Sequence, residues 1–280
     1  MKDKVVVVTG GTSGIGEIAA EALARQGARI VMVARDKARG EATLQRLNVA
    51  GPGVRHSLHL ADLSSIGVTR KLASEIAAAE PRIDVLINNA GAVFSRRQTS
   101  VDGLEMTFAV NHMAYFVLTE GLLPTLKATP GARIVSTASA AHLRAKLDFD
   151  DLQSARSYAG FTAYGRSKLA NILFTRELAR RLAGSSVTAN CLHPGFVATR
   201  FGDQSGGLLQ ALMPLAKLMA VTPQQGADTI IYLASSPDVA GQTGLYFYKR
   251  KPVTPSAEAQ DDTAAARLWA ESERLEAAVV

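Results

Sequence analysis

Short, continuously apolar runs alternate along this chain with longer stretches in which apolar residues recur every three to four positions. The runs at 4–9, 30–34, 54–60, 83–87 and 133–139 are rich in β-branched residues and read as strands buried on both faces. Between them the period becomes helical. Ile18, Ala19, Ala22 and Leu23 open the first such stretch, and later ones run through Leu47 and Ala79. The stretch at 157–183, with Leu169, Ile172, Leu173, Leu178, Ala179 and Leu182, reads as one long amphipathic helix. Strands alternating with helices of about ten or more residues predict an α/β fold, a doubly wound parallel sheet in three αβα layers. One domain over 1–280 accommodates the whole pattern.

The turns between these elements carry the candidate chemistry. The first strand runs into Gly10-Gly11-Thr12-Ser13-Gly14-Ile15-Gly16 and then a helix, which makes a glycine motif informative. Glycines let backbone approach a pyrophosphate closely, and a helix N-terminus offers unpaired N–H groups and partial positive charge. A tight turn with no ligand is the alternative. The second strand ends in Ala34, where a Rossmann-type dinucleotide fold carries an acid for a free ribose 2′-OH. Arg35 follows, with Lys37 and Arg39 close behind, and a guanidinium suits a 2′-phosphate. NADP(H) is therefore preferred over NAD(H) in this reading, although these charges would equally coat a helix start. Asp36 is assigned as the N-cap of the second helix. Asp62 and Leu63 follow the third strand, and Asn88-Asn89-Ala90-Gly91 the fourth. Gly10, Arg35, Asp62 and Asn89 would all lie at carboxyl ends of strands, where such sheets bind ligands. Within the long helix, Tyr164 and Lys168 share one face at i, i+4 spacing. An ammonium there favours the phenolate and would lower the tyrosine pKa, though such a pair is also an ordinary solvated helix face.

Composition narrows the function. The 280 residues are 47% hydrophobic and 20% charged, as in an ordinary globular protein, with net charge +6. The basic residues are scattered apart from 249–251, which argues against a nucleic-acid groove and suits a phosphorylated cofactor. The single cysteine, Cys191, excludes an intrachain disulfide, and no Cys/His spacing resembles a metal site. No run is long enough to span a membrane, and the first apolar run is too short for a signal peptide. A cytoplasmic protein is expected. A Ser-His-Asp hydrolase would need a G-x-S-x-G elbow, which is absent.

Thr9 to Gly16 as TGGTSGIG, NNAG at 88–91, Tyr164-x-x-x-Lys168 and Pro194-Gly195 together resemble the short-chain dehydrogenase/reductase family across nearly the whole chain. The Ala-Arg-Asp after the second strand, Ala141-His142, His193-Pro194-Gly195 and the tail Leu268-Trp269-x-x-Ser272-Glu273 resemble its retinol-dehydrogenase-like branch. The resemblance implies a catalytic set of Asn111, Ser139, Tyr164 and Lys168. Asn111 would hold a relay water through its carbonyl, and Ser139 would donate to the reacting oxygen. Tyr164 would be the general acid, and Lys168 would also bind the nicotinamide ribose. Ser136 and Thr137 are alternative hydroxyls, satisfied within the strand. Ala90, Gly91, Pro194, Gly195, Val197 and Thr199 complete the implied cofactor contacts. Ser139 and Tyr164 are separated by more residues than in the commonest members, and the branch carries a similar insertion, here including 148–152. It is taken as a loop beside the site.

The segment 206–220 is apolar almost all round and Met-rich, within the region 196–222 where the family has its substrate lid. Leu208, Leu212 and Met213 are its candidate substrate contacts, and a lipophilic aldehyde or ketone is the expected substrate. A helix buried against the domain or a partner subunit, or shallow membrane contact, are the other readings of this segment. A steroid, aromatic or polar carbonyl, or an idle NADP(H)-binding module, are the alternative functions. A C-terminal extension is expected over 249–280. A homo-oligomer is possible, because the resemblance places the helix at 164–182 between subunits in many relatives. His142, His193 and His112 invite a histidine base, but a Pro-Gly turn beside His193 and an apolar helix around His112 favour packing roles for those two.

Overall fold

Alternate residues of each strand belong to two different cores, which is why the strand sequences are apolar at nearly every position. In the computed structural model, which describes residues 1–195 and 221–279, β1 (Val5–Thr9) sends Val7 to one face of the sheet and Val6 and Val8 to the other. β2 (Arg29–Ala34) divides likewise, Val31 and Val33 against Ile30 and Met32. With β3 (Ser57–Leu60), β4 (Val85–Asn88), β5 (Arg133–Thr137), β6 (Thr188–Leu192), β7 (Tyr246–Tyr248) and β8 (Lys251–Pro252), they form one sheet in the order β3-β2-β1-β4-β5-β6-β7-β8. Every pairing is parallel except β7 with β8. The order reverses direction between β1 and β4, and a crevice at the carboxyl ends follows from that reversal. The predicted doubly wound, three-layer α/β architecture is the observed one.

On one face lie α1 (Gly14–Arg25), α2 (Lys37–Ala50) and α6 (Pro223–Ser235), packed through Ala19, Leu23, Leu47 and Ile230. On the other lie α3 (Ile66–Ala79), α4 (Ala114–Ala128), α5 (Gly160–Arg181) and α7 (Asp262–Ala277). The long helix is less amphipathic than its sequence reads. Lys168 and Asn171 are buried against the end of β5, Glu177 is buried as well, and α7 packs along the helix. Trp269 of α7 stacks on Phe174 at 5.8 Å and meets Phe116 edge-on at 5.0 Å. Arg181 lies 4.4 Å over the same indole. A helix of the same chain thus covers part of the helix that the resemblance places between subunits in many relatives.

β3 begins at Ser57 rather than Val54 for a local reason. The Ile30 N–H is taken by His56 Nδ1 at 3.0 Å, so a side chain replaces the backbone ladder where the strand was expected to start. Among the described residues no helix is long and apolar enough to cross a membrane.

Candidate active site

The carboxyl ends of β1 and β4 are stapled together by one hydroxyl. Thr9 Oγ1 accepts from the Asn89 and Ala90 N–H groups at 2.9 and 3.1 Å. Asn89 Nδ2 returns bonds to the Thr9 and Gly10 carbonyls at 3.3 and 3.2 Å. The start of α1 is pressed against this knot. A Cβ on Gly16 would stand 2.3 Å from Asn89 Nδ2 and 2.4 Å from the Gly10 carbonyl oxygen, so only glycine lets the helix begin there.

That helix start fits an anion. α2, α3, α6 and α7 are each capped by a side chain, from Asp36, Ser65, Thr222 and Asp261 respectively. Ser13, at the same position on α1, makes no side-chain cap, and the first-turn N–H groups near Gly14 and Ile15 are left for an outside acceptor. Thr12 and Gly14 are partly exposed beside them. At the end of β2, Ala34 is buried and presents no carboxylate, while Arg35 is exposed next to it. The Asp36 carboxylate accepts from the Arg39 N–H at 2.8 Å, the capping role read from sequence. Asp62 is exposed beyond β3, its carboxylate accepting from the Ser64 N–H at 3.0 Å, with Leu63 partly buried beside it. These donors and this missing acid suit a phosphorylated dinucleotide.

Beyond β5 the chain turns at Ser139, which caps a short 3-10 helix, Ala140–Arg144, by accepting from the Ala141 N–H at 3.2 Å. α5 reaches this turn closely because residue 165 is glycine. A Cβ there would lie 2.9 Å from the Ala141 carbonyl oxygen. The approach brings the Tyr164 phenol beside the Ser139 side chain, near enough for the serine to lower the phenol's pKa. One turn on, Lys168 is 2% exposed, and its Nζ donates to the Thr137 carbonyl at 2.9 Å. The same Nζ stands 5.7 Å from the ring centres of both Tyr164 and Tyr115. Asn111 is fully buried in a π-turn, Ala109–Met113, between two helical segments. Its carboxamide accepts from the Ala92 N–H at 2.8 Å and donates to the Ala92 carbonyl and to Ser167 Oγ, both at 2.9 Å. A turn of that kind leaves backbone carbonyls off the regular helical ladder.

Two expectations need correction. Lys168 does not lower the Tyr164 pKa here. Burial pushes the phenol up to about 12, with Ser139 pulling the other way. Burial also drops Lys168 to about 7, so near neutrality its charge is only partial. Nor are the neighbouring hydroxyls satisfied within β5. Thr137 Oγ1 donates to Asn89 Oδ1 at 3.3 Å, and the buried Ser136 Oγ has no partner among the described residues.

Of the other expected residues, Ala90 and Gly91 lie at the end of β4. Ala90 accepts from the Tyr115 hydroxyl at 2.8 Å, and a Cβ on Gly91 would sit 3.5 Å from Lys168 Nζ. Pro194 and Gly195 follow β6, the Gly195 N–H donating to His193 Nδ1 at 3.2 Å. Val197, Thr199, Leu208, Leu212 and Met213 lie outside the described residues, as does most of the expected lid. The loop at 148–152 flanks the start of α5, with Arg156 bridging Asp148 at 2.8 Å. His193 stacks on Tyr248 at 4.1 Å. His112 is buried among Phe108, Phe116 and Phe174, bonds Ser272 Oγ at 2.8 Å and is held down to about 3 by burial. Both histidines are packed, as expected.

Tyr115 and Asn171 were not anticipated. Asn171 Nδ2 shares the Thr137 carbonyl with Lys168, at 3.2 Å. Helical spacing was the available signal, since Tyr115 follows Asn111 by four and Asn171 follows Lys168 by three.

Comparison with known proteins agrees with this geometry. The sequence pattern of the family described as short chain dehydrogenase matches residues 4–206. Retinol dehydrogenase 13 of Homo sapiens is 42% identical over 281 residues, covering 97% of this chain and 84% of the human protein. A solved structure of an uncharacterised protein from Mycobacterium paratuberculosis superposes with a TM-score of 0.80 at 32% identity, covering 99% of this chain and 94% of that one. An NADP active-site complex of Pseudomonas aeruginosa RhlG gives 0.70 at 28% identity, with 88% and 94% covered.

Proposed function

From the premise that this chain is an oxidoreductase belonging to the short-chain dehydrogenase/reductase family, we propose that it interconverts a carbonyl and an alcohol on a lipophilic substrate with NADP(H). The observation that carries the proposal is the meeting of the Tyr164 phenol with Ser139, one helical turn from buried Lys168. When bound, the cofactor supplies or accepts the hydride at the substrate carbon. The chain's own residues manage the oxygen. Tyr164, with its pKa at about 12, keeps its proton at neutral pH and gives it to the developing alkoxide as general acid. Ser139 Oγ already spends a lone pair on the Ala141 N–H, which turns its O–H toward a second oxygen and stabilises charge there. Lys168 holds the nicotinamide ribose. Asn111, locked by Ala92 and Ser167, presents the π-turn carbonyl to a relay water. Gly10, Thr12, Ser13, Gly14, Ile15 and Gly16 receive the pyrophosphate.

The lipophilic class rests on surface apolar residues beside this centre and on the name of a similar protein, retinol dehydrogenase 13. Phe161, 61% exposed, has its ring 6.2 Å from that of Tyr164. Leu143, 59% exposed, is four residues past Ser139. With NADPH and a homologous series of straight-chain aldehydes, kcat/KM should climb with length by up to about 0.8 kcal/mol per buried CH2. A flat series, or preference for small hydroxylated carbonyls, overturns the lipophilic site and leaves the reductase chemistry standing.

Cofactor choice rests on Arg35 beside Ala34. A charge-assisted contact to the 2′-phosphate contributes roughly 1.5–3 kcal/mol, which is about one to two decades of affinity over NADH. Arg35→Ala should raise the NADPH KM by that factor and leave the NADH KM unchanged. Equal KM values for the two cofactors in the native enzyme would refute the assignment.

A further inference from the structure

Every polar atom of His142 is committed, and the commitments join the catalytic turn to the C-terminal part of the chain. His142 Nε2 lies 3.2 Å from the backbone N–H of Ser256, in the loop between β8 and α7. A backbone N–H can only donate, so Nε2 is the accepting nitrogen and Nδ1 carries the ring proton. Nδ1 donates to the Ser139 carbonyl at 2.7 Å, and the His142 backbone N–H reaches the same oxygen at 3.2 Å. The ring is 1% exposed, and burial holds its pKa below the usual histidine value, which keeps it in this neutral form. Its edge contacts Tyr246 at 5.1 Å, and Tyr246 stands 5.7 Å from His193, next to the Pro194-Gly195 turn. Lys146 and Glu258, 3.5 Å apart, tie the same two segments at the surface.

We propose that His142 is a positioning residue for Ser139: it clamps the serine's carbonyl between its own backbone and ring, and it transmits the placement of the 253–261 loop to the serine hydroxyl. The chain of contacts is short. Ser139 has extended backbone angles, and its hydroxyl is fixed by the Ala141 N–H inside the turn that the clamp closes. Rotation of the Ser139 peptide therefore moves Oγ with respect to Tyr164. The proposal rests on the reductase reading above, in which Ser139 touches the reacting oxygen.

The test compares His142→Leu and His142→Asn with the native protein, using decanal and NADPH. Asn can place a side-chain N–H where Nδ1 stands, whereas Leu keeps the bulk and no donor. His142→Leu should lower kcat roughly 10- to 100-fold through misplacement of Ser139, with NADPH affinity unchanged. His142→Asn should recover most of that loss. Native kcat in the Leu variant overturns the proposal, and so does an equal loss in both variants accompanied by weakened NADPH binding, which marks simple packing. A long-range 1H–15N spectrum of the native protein reads the link without turnover. Protonated Nδ1 and bare Nε2 support it, and the opposite tautomer overturns it even if His142→Leu fails to fold. Absence of carbonyl reduction by the native protein would sink the reductase reading instead, and the tautomer would still decide the clamp.

Discussion

Tyr164→Phe is expected to lower kcat for carbonyl reduction by about 10²–10⁴-fold, the usual worth of a positioned proton donor, with NADPH affinity unchanged. The substitution removes one oxygen and keeps the ring beside Phe161. Its effect therefore falls on the hydroxyl and the proton it carries rather than on packing. The phenol's raised pKa sets a direction as well. Reduction needs the protonated form, which persists as pH rises until about 12. Alcohol oxidation needs the phenolate, so its rate should climb with pH over the range where reduction does not gain. Steady-state kinetics in both directions, with cofactor affinity by fluorescence titration, check the claim. Near-native kcat in Tyr164→Phe on a substrate that the native enzyme reduces well would remove Tyr164 from the acid role.

The parts of this site that were legible in the sequence are those whose meaning is local. Glycines at 10, 14 and 16 between a β-branched run and a helical period specify a turn whatever packs around it. Asp36 caps the helix it begins. Tyr164 and Lys168 share a face by helical geometry alone. Contacts between distant residues were not legible. The His142–Ser256 bond joins positions 114 apart, and the His112–Ser272 bond positions 160 apart. The tail motif Leu268-Trp269-x-x-Ser272-Glu273 stood out as a resemblance, but its physical job did not. Trp269 covers Phe174, its indole N–H donates to Glu273 at 2.7 Å, and Ser272 anchors the π-turn carrying Asn111 through His112. The Tyr164 pKa shows a different limit. Counting a nearby ammonium predicts a fall, and only the packed structure reveals that burial raises the phenol and lowers the lysine.

Lys168→Met should disable the enzyme and stabilise the empty fold. Lys168 is almost fully buried with one carbonyl as hydrogen-bond acceptor, and among the described residues no carboxylate pairs with it. Its native pKa of about 7 lies below the ordinary lysine value of about 10.4. Between these two values the unfolded chain binds a proton that the native chain has released, so stability rises with pH across that window. Below about 7 the buried charge costs its full amount, on the order of a few kcal/mol. Methionine fills similar space without a charge. The Thr137 carbonyl keeps the Asn171 donor, so no buried acceptor is orphaned. The variant's urea midpoint, measured without cofactor, should exceed the native one at pH 6, and the gap should close by pH about 10 as the native lysine ceases to differ from the unfolded one. Function should move the other way, because the residue proposed to hold the nicotinamide ribose, which stands beside Tyr164, is gone. Both the NADPH KM and kcat should worsen, unlike the pure kcat loss of Tyr164→Phe. A lower midpoint than native at pH 6 would show that the ammonium is better solvated in the fold than its burial implies, and a normal NADPH KM would show that Lys168 does not hold the cofactor.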